Sequence, residues 1–125
     1  MRLSILSDEF TVCKLPEGER IPQVQWCFSG ITHNERSLVC PTAVVPAHTV
    51  AREDGWCGFY VDEGTLDFNL IGILADISRI LARAKVGIFV VSTFNTDYIF
   101  VMQRQLETAV QALSEEGYSF SAHKS

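Results

Sequence analysis

The chain has 125 residues, 47% of them hydrophobic and 20% charged, and its formal net charge is −5. This globular composition excludes extended disorder and predicts one compact unit or two very small subdomains. The acidic balance, with Lys and Arg scattered along the chain, argues against nucleic-acid binding, because such affinity depends on a basic surface.

The N-terminal half carries strand patterns and hardly any helical pattern. Apolar and β-branched runs predict strands near residues 2–6, 10–15, 25–31 and 37–40. Four prolines interrupt this half, at Pro16, Pro22, Pro41 and Pro46. Because proline breaks helices, residues 42–51 have room for a short helical turn at most.

The middle of the chain predicts a strand, a loop and an amphipathic helix. Residues 56–62 form an aromatic-rich strand, and residues 63–70 a loop. Within 71–85, apolar residues recur at 73, 74, 77, 80, 81 and 84, which is one stripe of a helix. We expect Asn69 to cap its start and Gly87 to end it in the left-handed conformation.

The last third predicts a hairpin, a second helix and a final strand. Two apolar runs at 88–94 and 98–102 flank a short polar tip, which is a hairpin signal. A helix follows from about Arg104 to a stop at Gly117, and residues 118–122 alternate as a strand. The order β-α-β-β-α-β predicts an α+β, ferredoxin-like fold with both helices on one face of an antiparallel sheet.

An internal repeat relates the two halves at an offset of 61 residues. THNERSLVC at 32–40 aligns with TFNTDYIFV at 93–101, so that the threonine and the asparagine coincide and Arg36 stands where the other copy has Asp97. We therefore predict tandem units, with a degenerate, helix-poor copy at 1–54 that lacks the first helix and a complete one at 55–125.

The cysteines and the N-terminus indicate a reducing compartment. Cys13, Cys27, Cys40 and Cys57 form no C-x-x-C pair, and only three histidines accompany them. Neither a signal peptide nor an apolar run of about 20 residues is present, so we predict a cytoplasmic protein without a membrane partner. The thiols are then expected to be buried hydrophobic groups, and no metal site or cofactor is expected.

One stretch carries a family resemblance. The run LDFNLIGILADISRILARAKVGIFVVSTFNTDYIFV at 66–101, together with PTAVVPAH at 41–48 and Trp56, resembles small bacterial tandem ACT-domain proteins, relatives of the animal cytosolic arginine sensor. The resemblance implies an ACT domain at 55–125, a degenerate ACT-like subdomain at 1–54, and a regulatory module rather than an enzyme. It also implies an amino-acid ligand, held where the loop before the first helix meets a neighbouring ACT unit.

The resemblance assigns candidate ligand-binding residues to two segments: Leu70, Ile71 and Gly72 in the loop, and Thr93, Phe94, Asn95 and Asp97 in the hairpin. Gly72 would let the backbone N–H groups approach the ligand carboxylate, and Asp97 would face its ammonium or side-chain cation. Two alternatives remain open at this point. Gly72 is also tolerable as an ordinary helical glycine, and Asp97 is also a common turn former.

Two functional hypotheses follow from these residues. The first is an amino-acid sensor in which ligand binding shifts a population that a partner protein, not identified by the sequence, detects. The second is an ACT-like interaction module with a vestigial, unoccupied site, and both hypotheses predict a homodimer. Enzyme motifs such as G-x-S-x-G, H-E-x-x-H and the P-loop are absent from the sequence. Cys40 with His33 or His48 lacks any sequence feature that would orient the pair.

Overall fold

A computed structural model describes residues 1–62 and 72–123, called the described residues below. They form eight strands and two α-helices, namely β1 (Arg2–Ile5), β2 (Phe10–Lys14), β3 (Phe28–Ile31), β4 (Arg36–Pro41), β5 (Ala51–Val61), α1 (Ile73–Arg83), β6 (Ile88–Ser92), β7 (Asp97–Met102), α2 (Leu106–Glu115) and β8 (Ser119–Ala122). No helix among these residues is long and apolar enough to cross a bilayer.

The chain divides into two compact units. The C-terminal unit comprises Met1–Ser7 together with Cys57–Ser125, and the N-terminal unit comprises Asp8–Trp56. The boundary between the units falls within strand β5: its residues 51–56 belong to the N-terminal unit and its residues 57–61 to the C-terminal unit. The expected boundary between residues 54 and 55 falls two residues earlier, and the assignment of each half as a separate domain stays a proposal.

The C-terminal unit has the predicted β-α-β-β-α-β order, from β5 through α1, β6, β7 and α2 to β8. Its strands are arranged β6-β7-β5-β1-β8, with β1 antiparallel to β5 and parallel to β8. The fold is thus α+β and ferredoxin-like as predicted, with β1 as an additional strand. Because side chains alternate across a strand, Leu3, Phe59 and Val61 share the face that packs with the helices.

The apolar stripe of α1 explains its packing. Ile77, Ile80 and Leu81 are buried in the same cluster as the sheet residues, and the polar side of the helix faces outwards. The helix ends at a Schellman motif, in which the Val86 N–H bonds the Leu81 carbonyl at 2.9 Å. Lys85, with φ of 61°, takes the left-handed position. The prediction that Gly87 would do so was wrong, because the motif closes two residues earlier.

The N-terminal unit is a sheet of order β3-β4-β2-β5 with antiparallel pairing throughout. Its core is a small cluster made of Cys13, Leu15, Leu38 and Cys40. All four cysteines of the chain are free thiols. Residues 8–56 contain no α-helix, only a 3-10 turn at Thr42–Val44, so the N-terminal unit lacks both helices of the β-α-β-β-α-β order and not only the first, as was predicted.

The offset of 61 residues recurs in the secondary structure. Strand β4 starts at Arg36 and ends at Pro41, and strand β7 starts at Asp97 and ends at Met102, which is 61 residues later at both ends. Each is followed at once by a 3-10 turn, Thr42–Val44 in one half and Gln103–Gln105 in the other. The chain then extends into β5 in the first half and into α2 in the second.

Candidate functional site

The tip between β6 and β7 is a turn closed by Thr93. Its backbone N–H and its hydroxyl both donate to the Thr96 carbonyl oxygen, each at 2.9 Å. The hydroxyl oxygen also accepts from the Thr96 N–H at 3.4 Å. These bonds satisfy the backbone where the strands separate, and they fix residues 93–96. We call residues 93–97 the hairpin turn.

Thr96 ties the hairpin turn to the end of β5. It is a buried polar residue of the C-terminal unit, and its hydroxyl donates to the Val61 carbonyl at 3.3 Å. Val61 is the last residue of β5, directly before the connection that leads to α1. The hairpin turn therefore lies at the sheet end from which that connection leaves. Thr96 is not among the site residues predicted from the sequence, although a threonine in a turn next to a β-branched strand is a recognisable hydrogen-bonding signal.

Asp97 begins β7 and pairs with Ser92 across the hairpin. Its side chain is half-buried, and among the described residues its carboxylate makes no hydrogen bond or ion pair. The turn bonds come from Thr93 and Thr96 instead. The turn-forming role considered for Asp97 thus belongs to the two threonines, which leaves its carboxylate uncommitted within the described part of the chain.

Gly72 stands at the N-cap of α1 with φ of 89°, and its carbonyl accepts the first helical hydrogen bond from the Asp76 N–H at 2.9 Å. This left-handed conformation is costly for residues with a Cβ. The reading of Gly72 as an ordinary helical glycine is therefore wrong. No described atom lies within 4 Å of a Cβ built at this position, so the backbone conformation, rather than crowding, requires glycine.

The remaining candidates divide between the hairpin turn and the undescribed segment. Phe94 and Asn95 lie in the turn and are exposed, with the Phe94 side chain fully so. Leu70 and Ile71 lie outside the described residues, as does the predicted cap Asn69.

A second polar group lies on the strands β1, β5 and β8 of the same unit. It lines a cavity of about 360 Å³ and comprises Arg2, Ser4, Tyr60, Asp62, Ser121, Ala122 and His123. The buried Ser4 hydroxyl donates to an Asp62 carboxylate oxygen at 2.7 Å, and the Tyr60 hydroxyl lies 2.8 Å from His123 Nδ1. These groups satisfy one another, as expected of a structural network.

Cys13, Cys27 and Cys40 lack the environment of reactive thiols, because burial raises the pKa of each. Burial raises the pKa of Cys40 to about 12, and the neighbouring Cys27 and Cys13 add to the rise. Since the thiolate is the nucleophile, Cys40 has little of the reactive form at neutral pH. Among the described residues, no three His, Cys, Asp or Glu side chains are grouped so as to hold a metal ion.

The chain matches one protein-family model. Residues 51–115 match the model of the family described as ACT domain, which is slightly more than half of the 125 residues. The chain therefore belongs to the ACT domain family. None of the curated proteins compared with it matches the chain.

Solved structures show the same fold. A protein of Agobacterium tumefaciens is 28% identical over 99% of this chain and 94% of its own, with a TM-score of 0.85. A Vibrio cholerae protein of unknown function, described as a possible transport protein, is 16% identical over 90% and 88%, with a TM-score of 0.62. The regulatory subunit of aspartate kinase from Thermus thermophilus is 10% identical over 88% and 93%, with a TM-score of 0.58. The last two resemble the chain in fold alone.

Proposed function

We propose that this protein is a regulatory module that binds an amino acid at the hairpin turn and the loop that ends at Gly72. Membership of the ACT family supports the regulatory role, and the fold shared with an aspartate kinase regulatory subunit agrees with it. One observation carries the location of the site. The Thr96 hydroxyl bonds the Val61 carbonyl at 3.3 Å, so the turn adjoins the end of β5 from which the loop departs.

The chemistry of the site follows from its two sides. Helix α1 begins directly after Gly72, and a helix N-terminus favours negative charge, so we propose that the backbone N–H groups of Leu70, Ile71 and Gly72 hold the ligand carboxylate. The Asp97 carboxylate and the carbonyl oxygens of Thr93 and Phe94 suit an ammonium group. The Thr96 carbonyl is excluded from this role, since it already accepts two hydrogen bonds.

The proposal extends to the arrangement of the units, the oligomeric state and the cellular compartment of the protein. We propose tandem ACT units, a homodimer, a ligand held where two ACT units meet, and a cytoplasmic setting that suits the four free thiols. Kinship with the animal arginine sensor, and with it a preference for a basic amino acid, is part of the same proposal. Ligand binding would then favour one of two populated arrangements, and a partner protein would respond to that shift.

Calorimetry of the full chain against the twenty amino acids tests the proposal. We expect one or a few ligands to bind, and Asp97→Asn to weaken binding about tenfold, because a charge-assisted hydrogen bond is lost. Asp8→Asn is the matched control, since it makes the same chemical change at an exposed position of the N-terminal unit.

Two results would contradict this function. One is the absence of heat and of any thermal shift with every amino acid at millimolar concentration. The other is unchanged affinity in Asp97→Asn. The first result, combined with retained self-association, would favour the alternative of an ACT-like interaction module with a vacant site.

A further inference from the structure

The N-terminal unit contains an open cavity of about 790 Å³, and none of its lining residues belongs to the proposed amino-acid site. It is lined by Glu19, Arg20, Ile21, Pro22, Gln23, Arg36 and Pro46. This volume falls in the range of small-molecule sites, which combine apolar walls with a few polar groups. Arg36 also borders a smaller cavity of about 370 Å³, where Glu17 and Glu35 contribute negative charge.

Arg36 is a half-buried cation without a carboxylate partner among the described residues. One guanidinium nitrogen, Nη2, donates to the Glu19 carbonyl at 2.8 Å. The Nε atom is buried and has no hydrogen-bond partner within the described part of the chain. The remaining, half-buried part of the guanidinium borders the cavity with its positive charge uncompensated by a described carboxylate, so an anion placed there would be favoured.

Arg36 and Asp97 occupy equivalent positions in two hairpins, one formed by β3 and β4 and the other by β6 and β7. In the first hairpin, the Thr32 N–H donates to the Glu35 carbonyl at 2.9 Å and the Thr32 hydroxyl donates to the same oxygen at 3.5 Å. Thr93 makes the same pair of bonds in the second. Arg36 pairs across its hairpin with Ile31, and Asp97 pairs with Ser92. The same place in the repeat thus holds a cation in one unit and an anion in the other.

The other lining residues define what such an anion would carry. Arg20 adds a second guanidinium, and among the described lining residues Glu19 is the one acid, so their formal charge is positive. Ile21, Pro22 and Pro46 offer apolar surface, which favours an organic ligand over an inorganic ion. The fork of a guanidinium matches the geometry of a carboxylate.

We infer that the N-terminal unit binds a small organic carboxylate in this cavity, with the carboxylate on Arg36 and the carbon chain against Ile21, Pro22 and Pro46. The site lies wholly within residues 19–46, and it requires neither Asp97 nor Gly72. The two proposed sites differ in charge: Arg36 would bind an anionic group, whereas Asp97 in the hairpin turn would bind a cationic one.

The test is a ¹H–¹⁵N NMR titration of the full chain with sodium propionate, with sodium chloride as a control for ionic strength. We expect the amide chemical shifts of Arg20, Ile21 and Gln23 to change and to saturate at millimolar propionate. Sodium chloride should not produce these changes. Arg36→Gln should weaken propionate binding about tenfold. Arg104→Gln, at an exposed position of the other unit, should bind as the wild type does.

A further variant, Arg36→Lys, separates the effect of the charge from that of the guanidinium geometry. Arg36→Lys retains the charge but loses the fork, so we expect affinity between those of the wild type and of Arg36→Gln, with the backbone spectrum reporting that each variant is folded. Shifts that never saturate, or equal affinity in Arg36→Gln, would overturn the inference. Because propionate has no ammonium group and the shifts are read in residues 19–46, failure of the amino-acid site would leave this result unaffected.

Discussion

Thr96 and Asp97 are adjacent in the hairpin turn, but their side chains differ in hydrogen bonding. Thr96 is buried and its hydroxyl bonds the Val61 carbonyl, whereas the Asp97 carboxylate has no partner among the described residues. Unsatisfied polar groups are costly where water is excluded, so a threonine that satisfies a strand-end carbonyl is a structural residue. The Asp97 carboxylate stands next to this anchored residue and forms no ion pair within the described part of the chain. A carboxylate in a fixed position can recognise a cationic group.

Tyr118 and Asp76 form another residue-scale pair, which joins α1 to the segment before β8. The Tyr118 hydroxyl donates to an Asp76 carboxylate oxygen at 2.7 Å, and Arg79 bonds the other oxygen of the same carboxylate at 2.7 Å. These two bonds, led by that of Tyr118, hold the pKa of Asp76 below its ordinary value of 3.8. The pair therefore stabilises the fold only while Asp76 is ionised.

Tyr118→Phe tests this pair through pH. A carboxyl group with a lowered pKa contributes stability that is fully present above 3.8 and is lost as the pH falls through the folded-state pKa. We expect Tyr118→Phe to be less stable than the wild type at neutral pH, and the difference to shrink below 3.8. Urea unfolding across that range measures it. In an Asp76→Asn background the same substitution should show no such dependence on pH, and a difference that persists into acid would contradict the account.

At the scale of elements, Gly58 lets the ring of Phe100 pack on strand β5. A Cβ built at Gly58 would lie 2.7 Å from Cε1 of Phe100 and 3.2 Å from Cδ1 of Leu6. Phe100 is fully buried and cannot move aside without displacing its neighbours. The strand pattern in the sequence predicts β5, but it does not reveal that a glycine within it accommodates an aromatic ring from β7.

Gly58→Ala should lower the free energy of unfolding by about 2 kcal/mol, because the added methyl overpacks the core. Gly30→Ala in β3 is the matched control: no described atom lies within 4 Å of its Cβ, so we expect little change. Denaturant unfolding of both variants measures the difference. Phe100→Leu should recover part of the loss in the double variant, and equal stabilities for Gly58→Ala and Gly30→Ala would exclude the steric explanation.

At the scale of the whole molecule, the first strand completes a unit whose other residues begin 50 positions later in sequence. Strand β1 pairs with β5 on one side and with β8 on the other, and Leu3 is fully buried in the core. The Ser119 N–H bonds the Met1 carbonyl at 3.0 Å, and the His123 N–H bonds the Ile5 carbonyl at 2.8 Å. The C-terminal unit therefore requires residues from both ends of the chain.

Deletion of residues 1–7 should abolish cooperative unfolding of the C-terminal unit. It removes both ladders of β1 and the packing of Leu3, which alone is worth about 3 kcal/mol, a large part of the stability of a small domain. Hydrogen exchange should show loss of protection at Ser119 and His123. Leu3→Ala, which keeps the strand, should lower stability without removing that protection. A truncated chain with the unfolding midpoint of the wild type would contradict this role for β1.

The sequence alone determined the elements, because their signals are local. The apolar period identified α1 and α2, and the β-branched runs identified the strands, although β5 begins at Ala51 and not at residue 56 as predicted. The offset of 61 residues found in the sequence also relates β4 to β7. The order of elements then gave the α+β ferredoxin-like class. For the candidate site, sequence and resemblance selected Gly72 and Asp97, and the left-handed φ of Gly72 explains why that position is a glycine.

Only the tertiary structure decided how distant segments pair. The place of β1 between β5 and β8, the anchoring of Thr96 to Val61, and the half-buried guanidinium of Arg36 all depend on partners 17 or more positions away. Pairing between remote strands depends on the collective burial of apolar surface, and no local pattern encodes it. The end of α1 at Arg83 is a local feature by contrast: the Val86 N–H bonds the Leu81 carbonyl with Lys85 in the left-handed conformation, and this motif, not the nearest glycine, ends the helix.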